Sequence, residues 1–368
     1  METILSKHPI AFILVSFFVL FGAERAWRYV DKFGVLREVE IIHPGECKIL
    51  EGDYQGSEDL TLGPGGSVIA STGGLNAVKF KTPHLYKGDK LIKITGTKVE
   101  NLELLNFKEE FVPHGIDLMQ VKKNEWLVFV VNHRSDQDYV EMFDWTLSNG
   151  LKLKHYKSVS VSDLGIQGNV NDVTIISRHS FYVSNDKFYN AAVGRTGHYL
   201  GIPFCKIVFW NNGNATDVST GYVEPNGIAR SPSGDRLFFT DPMSDAFYEF
   251  EINKKDGSLK LVDTLILPTS PDNINVISEN EVLIGCHVRL HDLFIYFADT
   301  EKLRSPSHVI RVKRNDRNSA WGFETVFMDD GSLISGSSAG AFTADGNTLY
   351  VGTVVEKIAF CRYTTAQM

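Results

Sequence analysis

Short polar segments that lead into strongly apolar strands recur along the chain. Each has a residue with a side-chain oxygen or imidazole, one further residue, and then Ile or Val before the strand continues. The clearest instances are His114-Gly115-Ile116, Asn171-Asp172-Val173, Asn226-Gly227-Ile228 and Asp272-Asn273-Ile274. Counted from Glu58 to a weaker instance at Ser337, they repeat about every 47 to 64 residues, which is the period of a four-stranded propeller blade. The pattern predicts an all-β fold, a six-bladed β-propeller with an N-terminal hydrophobic helix.

The innermost strand of each propeller blade lines the central channel, so residues at equivalent repeat positions converge on one axis. The carboxylate and amide side chains at these positions are Glu58, Asn171, Asn226, Asp272 and Asn273. Such oxygen ligands, without Cys or a His-x-x-x-His pair, are what a hard cation such as calcium prefers. Asp59 and Asp172, each beside a member of this set, could supply a second ion deeper in the channel.

Two histidines belong to the same pattern. His114 occupies a channel-lining repeat position, and His133 ends the next strand. Adjacent strands of one blade could bring the two imidazoles together, and such a pair can deprotonate a water near neutral pH. The other interpretation, that each is a hydrogen-bonded channel residue without a catalytic role, is equally compatible with the sequence.

An apolar run over residues 10–23 has a length between that of a signal-peptide core and a membrane span. No small-x-small cleavage site follows it, and an amphipathic stretch over 26–33 comes next. The sequence therefore favours an uncleaved signal anchor and juxtamembrane helix over residues 1–33, followed by one propeller domain over 34–368. The basic residues Arg25, Arg28, Lys32 and Arg37 follow the run, and simple charge counting would leave the C-terminal part in the cytosol.

The cysteines indicate instead that the C-terminal part of the chain lies outside the cytosol. A bond between Cys47 and Cys361 would join the two chain ends where a propeller ring must close, and it requires an oxidising compartment. The sequon at Asn214 also fits a luminal surface loop. We therefore expect a membrane-anchored protein whose propeller is luminal, in the endoplasmic reticulum, or extracellular.

Composition excludes several function classes. The 368 residues are 43% hydrophobic and 22% charged, with a net charge of −8 and no basic cluster, so a nucleic-acid partner has no electrostatic support. Residues 336–340 match the nucleophile motif G-x-S-x-G, but the segment that follows is strand-like and no His follows His308. A serine hydrolase is therefore not indicated, and zinc, redox and nucleotide-binding motifs are missing from the sequence.

These motifs, in this order, resemble the paraoxonase/arylesterase family from about Cys47 to Cys361. The segments that carry the resemblance are Gly56-Ser57-Glu58-Asp59-Leu60, Pro113-His114-Gly115-Ile116, Val131-Asn132-His133, Asn171-Asp172, Asn226-Gly227-Ile228, Asp272-Asn273-Ile274 and Gly285-Cys286-His287. The resemblance implies a six-bladed propeller with two calcium ions, one catalytic and one structural, that hydrolyses lactones, aryl esters and sometimes organophosphates.

The resemblance also implies a role for each matching residue. The residues that match the catalytic calcium ligands are Glu58, Asn171, Asn226, Asp272 and Asn273. Asp59, Asp172 and the backbone carbonyl of Ile116 match the structural calcium site. His114 and His133 match a His pair proposed as general base, with Asp272 as a rival. Cys47 and Cys361 match the family disulfide, and Cys286 matches a free cysteine.

The chain departs from the family near the channel mouth. Residues 187–203 carry Gly and Arg interruptions where the family has an amphipathic helix that adheres to membranes. Membrane-anchored members of the family resemble assembly factors for ion channels, so a non-enzymatic chaperone or accessory subunit with a membrane-protein partner is the alternative function. The complete set of catalytic ligands favours the enzyme.

Overall fold

The computed structural model describes residues 9–73, 88–188, 197 and 200–362. Six sheets, five of four strands and one of five, are arranged as the blades of a propeller. The predicted six-bladed β-propeller with an N-terminal helix is confirmed. In the second blade, an added fifth strand at the outer edge runs parallel to its neighbour. The other strand pairs of the described residues are antiparallel.

The helices of the described part are α1 (Pro9–Lys32) and α2 (Leu290–Tyr296), and single 3-10 turns lie at Pro64–Gly66, Leu147–Asn149 and Pro242–Ser244. The first fourteen strands are β1 (Cys47–Ile49); β2 (Leu60–Leu62), β3 (Val68–Thr72), β4 (Lys90–Thr95) and β5 (Lys98–Asn101) of blade 1; β6 (Glu103–Leu105), β7 (Pro113–Lys122), β8 (Glu125–His133), β9 (Asp138–Thr146) and β10 (Lys152–Ser160) of blade 2; and β11 (Gly168–Ser177), β12 (Ser180–Phe188), β13 (Cys205–Asn211) and β14 (Asn214–Tyr222) of blade 3.

The remaining strands are β15 (Ile228–Arg230), β16 (Arg236–Asp241), β17 (Ala246–Ile252) and β18 (Leu259–Ile266) of blade 4; β19 (Ser270–Ser278), β20 (Glu281–His287), β21 (Ser307–Lys313) and β22 (Gly322–Asp329) of blade 5; and β23 (Ser337–Phe342), β24 (Thr348–Thr353) and β25 (Ala359–Arg362) of blade 6. The innermost strands of the six blades are β2, β7, β11, β15, β19 and β23.

The core lies between neighbouring blades, which explains why the second strand of a blade is apolar on both faces. In β8, Phe129 packs in one buried cluster with Val173 of blade 3, whereas its neighbour Val128 packs in another with Ile69 of blade 1. Successive side chains of a strand point to opposite faces, so a strand sandwiched between two blades needs an unbroken apolar run.

The ring closes through the first strand. β1 pairs with β25 as the outermost strand of blade 6, and Cys47 lies opposite Cys361, to which it is joined by a disulfide. The closure that the two cysteines suggest is therefore present. The other two cysteines, Cys205 and Cys286, are free and buried.

The N-terminal apolar run and the amphipathic stretch after it form one continuous helix, α1. Its last residues dock on the propeller: the Lys32 ammonium lies 3.0 Å from an Asp245 carboxylate oxygen, and Phe33 is buried beside Leu293 and Tyr296. Among the described residues, none of the helices combines the length and apolarity expected of a membrane span. The altered segment at the channel mouth begins in β12, and residues 189–196 and 198–199 lie outside the described residues.

Replacing Cys47 and Cys361 together by alanine should lower the free energy of unfolding by about 5 kcal/mol, because the bond closes a very long loop in the unfolded chain. Denaturant unfolding without reductant measures the loss. Wild type in reductant is the control and should fall to the stability of the double variant, which should not respond to reductant. Equal stability of all samples would contradict this account of ring closure.

Candidate active site and metal centre

The polar residues of the repeat lie where inner strands leave regular pairing. In β7, β11 and β19, the register with the second strand of the blade shifts across His114-Gly115, Asn171-Asp172 and Asp272-Asn273. Such bulges re-aim side chains and are frequent beside active sites. The short polar segments that recur in the sequence therefore form bulges in the structure. At a bulge, neighbouring side chains of one inner strand can face different surroundings.

Five buried oxygen atoms at these positions have no hydrogen-bond partner among the described residues. They are Glu58 Oε2, Asn171 Oδ1, Asn226 Oδ1, Asp272 Oδ1 and Asn273 Oδ1. Buried polar atoms are nearly always paired, so a set of five unpaired acceptors indicates a site for a ligand that accepts their lone pairs. No group of three or more His, Cys, Asp or Glu side chains spaced as metal ligands occurs in the described part of the chain, and three of the five oxygens belong to asparagine.

Direct contacts across the channel hold two of these residues. The Asn273 amide donates from Nδ2 to the backbone oxygen of Glu58 at 3.0 Å and to its Oε1 at 2.9 Å, which links blade 5 to blade 1. Burial opposes ionisation of Glu58, but the neighbouring His114 and the Asn273 amide keep its pKa below the usual value. The amide orientation thus leaves Asn273 Oδ1 unpaired while its nitrogen is fully used.

Asp59 and Asp172 face a second, separate environment. Asp59 accepts backbone N–H groups from Leu60 at 2.7 Å and from Ile116 of the next blade at 2.8 Å. Asp172 repeats this arrangement with Val173 at 2.7 Å and Ile228 at 2.8 Å. Burial raises the pKa of both carboxyls well above the usual range, and the charge of Asp172 raises the pKa of Asp59 further. A positive charge between them would reverse these shifts.

The two histidines contact each other, and one contacts the first site. His133 Nε2 lies 2.8 Å from His114 Nδ1, and His114 Nε2 lies 3.0 Å from Glu58 Oε1. Both rings are largely buried, so the hydrogen-bonded chain is shielded from bulk water. The channel-facing atom of the pair, His114 Nε2, therefore lies beside a carboxylate, and this geometry would allow proton transfer.

The sequence pattern gave no role to His287, which the structure places in the site. Its Nε2 lies 2.7 Å from Asp272 Oδ2, and burial raises the pKa of Asp272 although this contact opposes the rise. The contact could not be predicted from strand alternation, because Asp272 lies within the bulge and the residue that pairs with His287 in the register is Ser270. The signal in the sequence is an imidazole at the end of the second strand, at the place where His133 ends β8.

Asp186 is a second residue that the pattern missed. It is buried at the end of β12 and its Oδ2 lies 2.7 Å from Lys187 Nζ. Burial alone would raise the pKa of Asp186, but the charge of Lys187 and the nearby His pair lower it to about 2. The lowered pKa makes Asp186 a carboxylate that is ionised at neutral pH and lies near the two imidazoles.

The G-x-S-x-G segment is part of an inner strand, β23, and not of a strand-turn-helix elbow. The hydroxyl of its central residue, Ser338, donates to the backbone oxygen of Glu58 at 2.6 Å. This serine therefore supports the channel wall, in agreement with the interpretation of the motif as incidental.

A model of the family described as Arylesterase matches residues 38–363. The chain belongs to the arylesterase family. Its similarity to serum paraoxonase/arylesterase 2 of Gallus gallus is 28% identity, covering 96% of this chain and 98% of that protein. Its identity to serum paraoxonase/lactonase 3 of Oryctolagus cuniculus is 26%, with coverage of 93% and 95%. For serum paraoxonase/arylesterase 1 of Homo sapiens it is 26%, with coverage of 90% and 93%.

Solved structures similar to this arylesterase-family chain include a luciferin-regenerating enzyme, with a TM-score of 0.53, 10% identity and coverage of 88% and 96%. A calcium-binding protein, regucalcin, of Agrobacterium tumefaciens has a TM-score of 0.51, 13% identity and coverage of 88% and 95%. At such identities the likeness shows the shared fold alone.

Two glycines let the bulges of neighbouring blades approach in this arylesterase-family propeller. A Cβ at Gly115 would lie 2.3 Å from Asp172 Oδ1 and 2.7 Å from the backbone oxygen of Asn171, and one at Gly227 would lie 2.6 Å from the backbone oxygen of Asp272. Real side chains do not tolerate such distances, so these positions require glycine for close approach.

Gly115→Ala should therefore cost about 1–3 kcal/mol of stability, because the added methyl overpacks the contact between blades 2 and 3. Thermal and denaturant unfolding measure the loss. The matched control is Gly322→Ala, where a Cβ would lie 3.8 Å from the nearest atom, the backbone oxygen of Lys313, and unfolding should be nearly unchanged. Wild-type stability of Gly115→Ala would show that the blades are not in close contact here.

Proposed function

We propose that the protein is a calcium-dependent hydrolase of lactones and aryl esters. The observation that carries this proposal is the set of five buried, unpaired oxygens, which belong to the five residues expected to bind one calcium ion. The names of the relatives, a paraoxonase/arylesterase and a paraoxonase/lactonase, support the choice of reaction. Both reactions require stabilisation of the negative charge that develops on a carbonyl oxygen.

The donor set suits calcium. Carboxylate and amide oxygens are its usual ligands, and the residues that would hold the ion are Glu58, Asn171, Asn226, Asp272 and Asn273. When bound, the ion supplies a positive charge that attracts the substrate oxygen and stabilises its developing negative charge. Asp59, Asp172 and the carbonyl of Ile116 would hold a second, structural calcium ion, whose charge would offset the burial of two carboxylates.

The protein's own contribution is to orient these oxygens before anything binds. Glu58 holds the Asn273 amide by its nitrogen, and His287 holds Asp272 by one carboxylate oxygen, so each presents its other oxygen in a fixed direction. Residues that fix a ligand's orientation in this way tune affinity and activity at metal sites.

The His pair is the general base in this proposal. His114 Nδ1 is held by His133, so the atom that takes a proton from water is His114 Nε2, beside Glu58 in the channel. Asp272 is the less suitable base, because one of its oxygens is engaged by His287 and the other belongs to the unpaired set.

We also propose that the propeller is luminal or extracellular and is attached to a membrane by its N-terminal hydrophobic segment. The disulfide between Cys47 and Cys361 supports an oxidising compartment. Val19, Leu20 and Trp27 of α1 expose most of their side chains, which supports association of this helix with lipid. Asn214 is exposed at the start of β14, where an N-glycan would have room.

No observation on the described residues favours the alternative of an accessory subunit for ion-channel assembly. A protein that only stabilised a partner would need the Asp59–Asp172 environment but not five further unpaired oxygens. We therefore do not adopt it.

The purified protein should hydrolyse phenyl acetate and a panel of lactones with calcium, and lose this activity in a chelator, because the oxyanion would lack its positive partner. Asn273→Ala should reduce kcat/KM more than His133→Gln does, since a general base typically contributes about 10²–10⁴-fold. Initial rates with each ester, with and without calcium, test this.

The matched control is Asn275→Ala. Asn275 lies two residues further along β19 and also reaches blade 1, where its amide donates to the backbone oxygen of Leu60 at 2.9 Å, but it is not a proposed ligand. Its variant should remain calcium-dependent and active. A folded, calcium-bound wild type without turnover on any of these esters would refute the hydrolase proposal.

Expression in mammalian cells tests the orientation. Glycosidase treatment should shift the wild-type band on a gel and leave Asn214→Gln unchanged, because only a luminal sequon is modified. A wild type that carries no glycan and is digested by protease added outside intact microsomes would place the propeller in the cytosol.

A further inference from the structure

Asp138 is a buried carboxylate at the outer end of the His pair. It begins β9 opposite His133, the last residue of β8, and its Oδ1 lies 2.7 Å from His133 Nδ1. Only 5% of the residue is exposed. The hairpin between the two strands fixes this contact, because Asp138 and His133 are paired in the backbone register.

The other oxygen of Asp138 is held as firmly. Oδ2 accepts the Asn169 amide from Nδ2 at 3.0 Å and the Val170 backbone N–H at 3.1 Å. Both donors lie at the start of β11, immediately before the bulge that carries Asn171. The carboxylate therefore cannot turn without breaking contacts in blade 3, and it connects the His pair to the strand that supplies one of the unpaired oxygens.

This arrangement determines where the protons of the pair lie. An ionised carboxylate can only accept, so His133 must carry its proton on Nδ1. His133 Nε2 is then an acceptor, and His114 must donate to it from Nδ1. His114 Nε2 then faces Glu58 and the channel, and its 3.0 Å contact with Glu58 Oε1 requires either a proton shared by these two atoms or a cation beside Glu58. A side chain that donated to His133 Nδ1 would reverse both bonds and place a proton on His133 Nε2.

Neighbouring carboxylates are engaged elsewhere. Glu141, in the same strand, is surrounded by Arg134, His155 and Ser158. Asp136 is exposed in the hairpin loop and accepts the Tyr139 hydroxyl at 2.7 Å. The side chains of these two carboxylates are thus used in other contacts.

We propose that Asp138 is a positioning residue of the hydrolytic site, which fixes the tautomer and orientation of His133 and thereby directs His114 Nε2 into the channel. The proposal rests on the proposed hydrolase function for its effect on rate, but not for its effect on the tautomer. In many hydrolytic sites a third side chain orients the general base that activates a nucleophile. Asp138 would have that orienting role here.

The decisive variant is Asp138→Asn, which keeps the shape but can present N–H groups to His133. We expect kcat for phenyl acetate to fall about 100-fold with little change in KM. In protein labelled with ¹⁵N-histidine, the His133 Nδ1 resonance should move from the protonated to the unprotonated range. The resonance is assigned by its loss in His133→Gln, and all samples are the full chain in detergent with calcium.

Asp136→Asn is the matched control, since it removes a carboxylate of the same hairpin that is exposed and accepts the Tyr139 hydroxyl; its kcat and spectrum should match wild type. A second test combines Asp138→Asn with His133→Gln. If Asp138 acts through His133, the double variant should be no slower than His133→Gln alone. Melting temperatures of all variants separate loss of folding from loss of orientation.

Three results would overturn the proposal: an unchanged His133 tautomer in folded Asp138→Asn, a wild-type kcat in that variant, or losses that multiply in the double variant. Failure of the proposed function gives a different result. If wild type hydrolyses none of the esters but the tautomer reverses in Asp138→Asn, the positioning role stands and the hydrolase proposal falls.

Discussion

Burial of negative charge around one axis is the constraint on which the rest of this structure depends. Glu58, Asp59, Asp172 and Asp272 all lie out of contact with bulk water, and burial opposes ionisation at each. Backbone N–H groups, an asparagine amide and imidazoles offset part of that cost, and several of these donors come from another blade. The hydrogen bonds that offset the cost of burying these carboxylates therefore also connect the blades to one another. A cation at the axis would complete the same compensation.

The bulges give this connection its geometry. A regular strand would direct Asn171 and Asp172 to opposite faces of the sheet, but the irregular pairing lets one face the first set of unpaired oxygens and the other reach the backbone of the next blade. The glycines that precede Ile116 and Ile228 allow neighbouring bulges to pack against each other. The bulges of the inner strands thus both form the site and determine how neighbouring blades pack.

Sequence reasoning predicted the fold, and the convergence of residues at equivalent repeat positions, because both follow from a repeat. Once Glu58 and Asn273 occupy equivalent positions, the ring brings them together across a separation of 215 residues. The partners of Asp272 and His133 do not follow from the repeat. His287 approaches across a bulge that disrupts strand alternation, and Asp138 depends on the exact length of a hairpin loop. The register that placed these side chains depends on backbone geometry, which no spacing of residue types encodes.

The position of β1 in blade 6 has a consequence for synthesis. Blade 6 receives its outermost strand from the beginning of the chain and its other three strands from the end, 314 residues later at the disulfide. While the ribosome is still translating, blades 1 to 5 can stack only as an open arc, with one apolar blade face uncovered at each end. The ring can close only when β25 has emerged from the ribosome, so the propeller cannot complete its folding before that point. Until then, β1 lacks the strand with which it pairs in the finished ring.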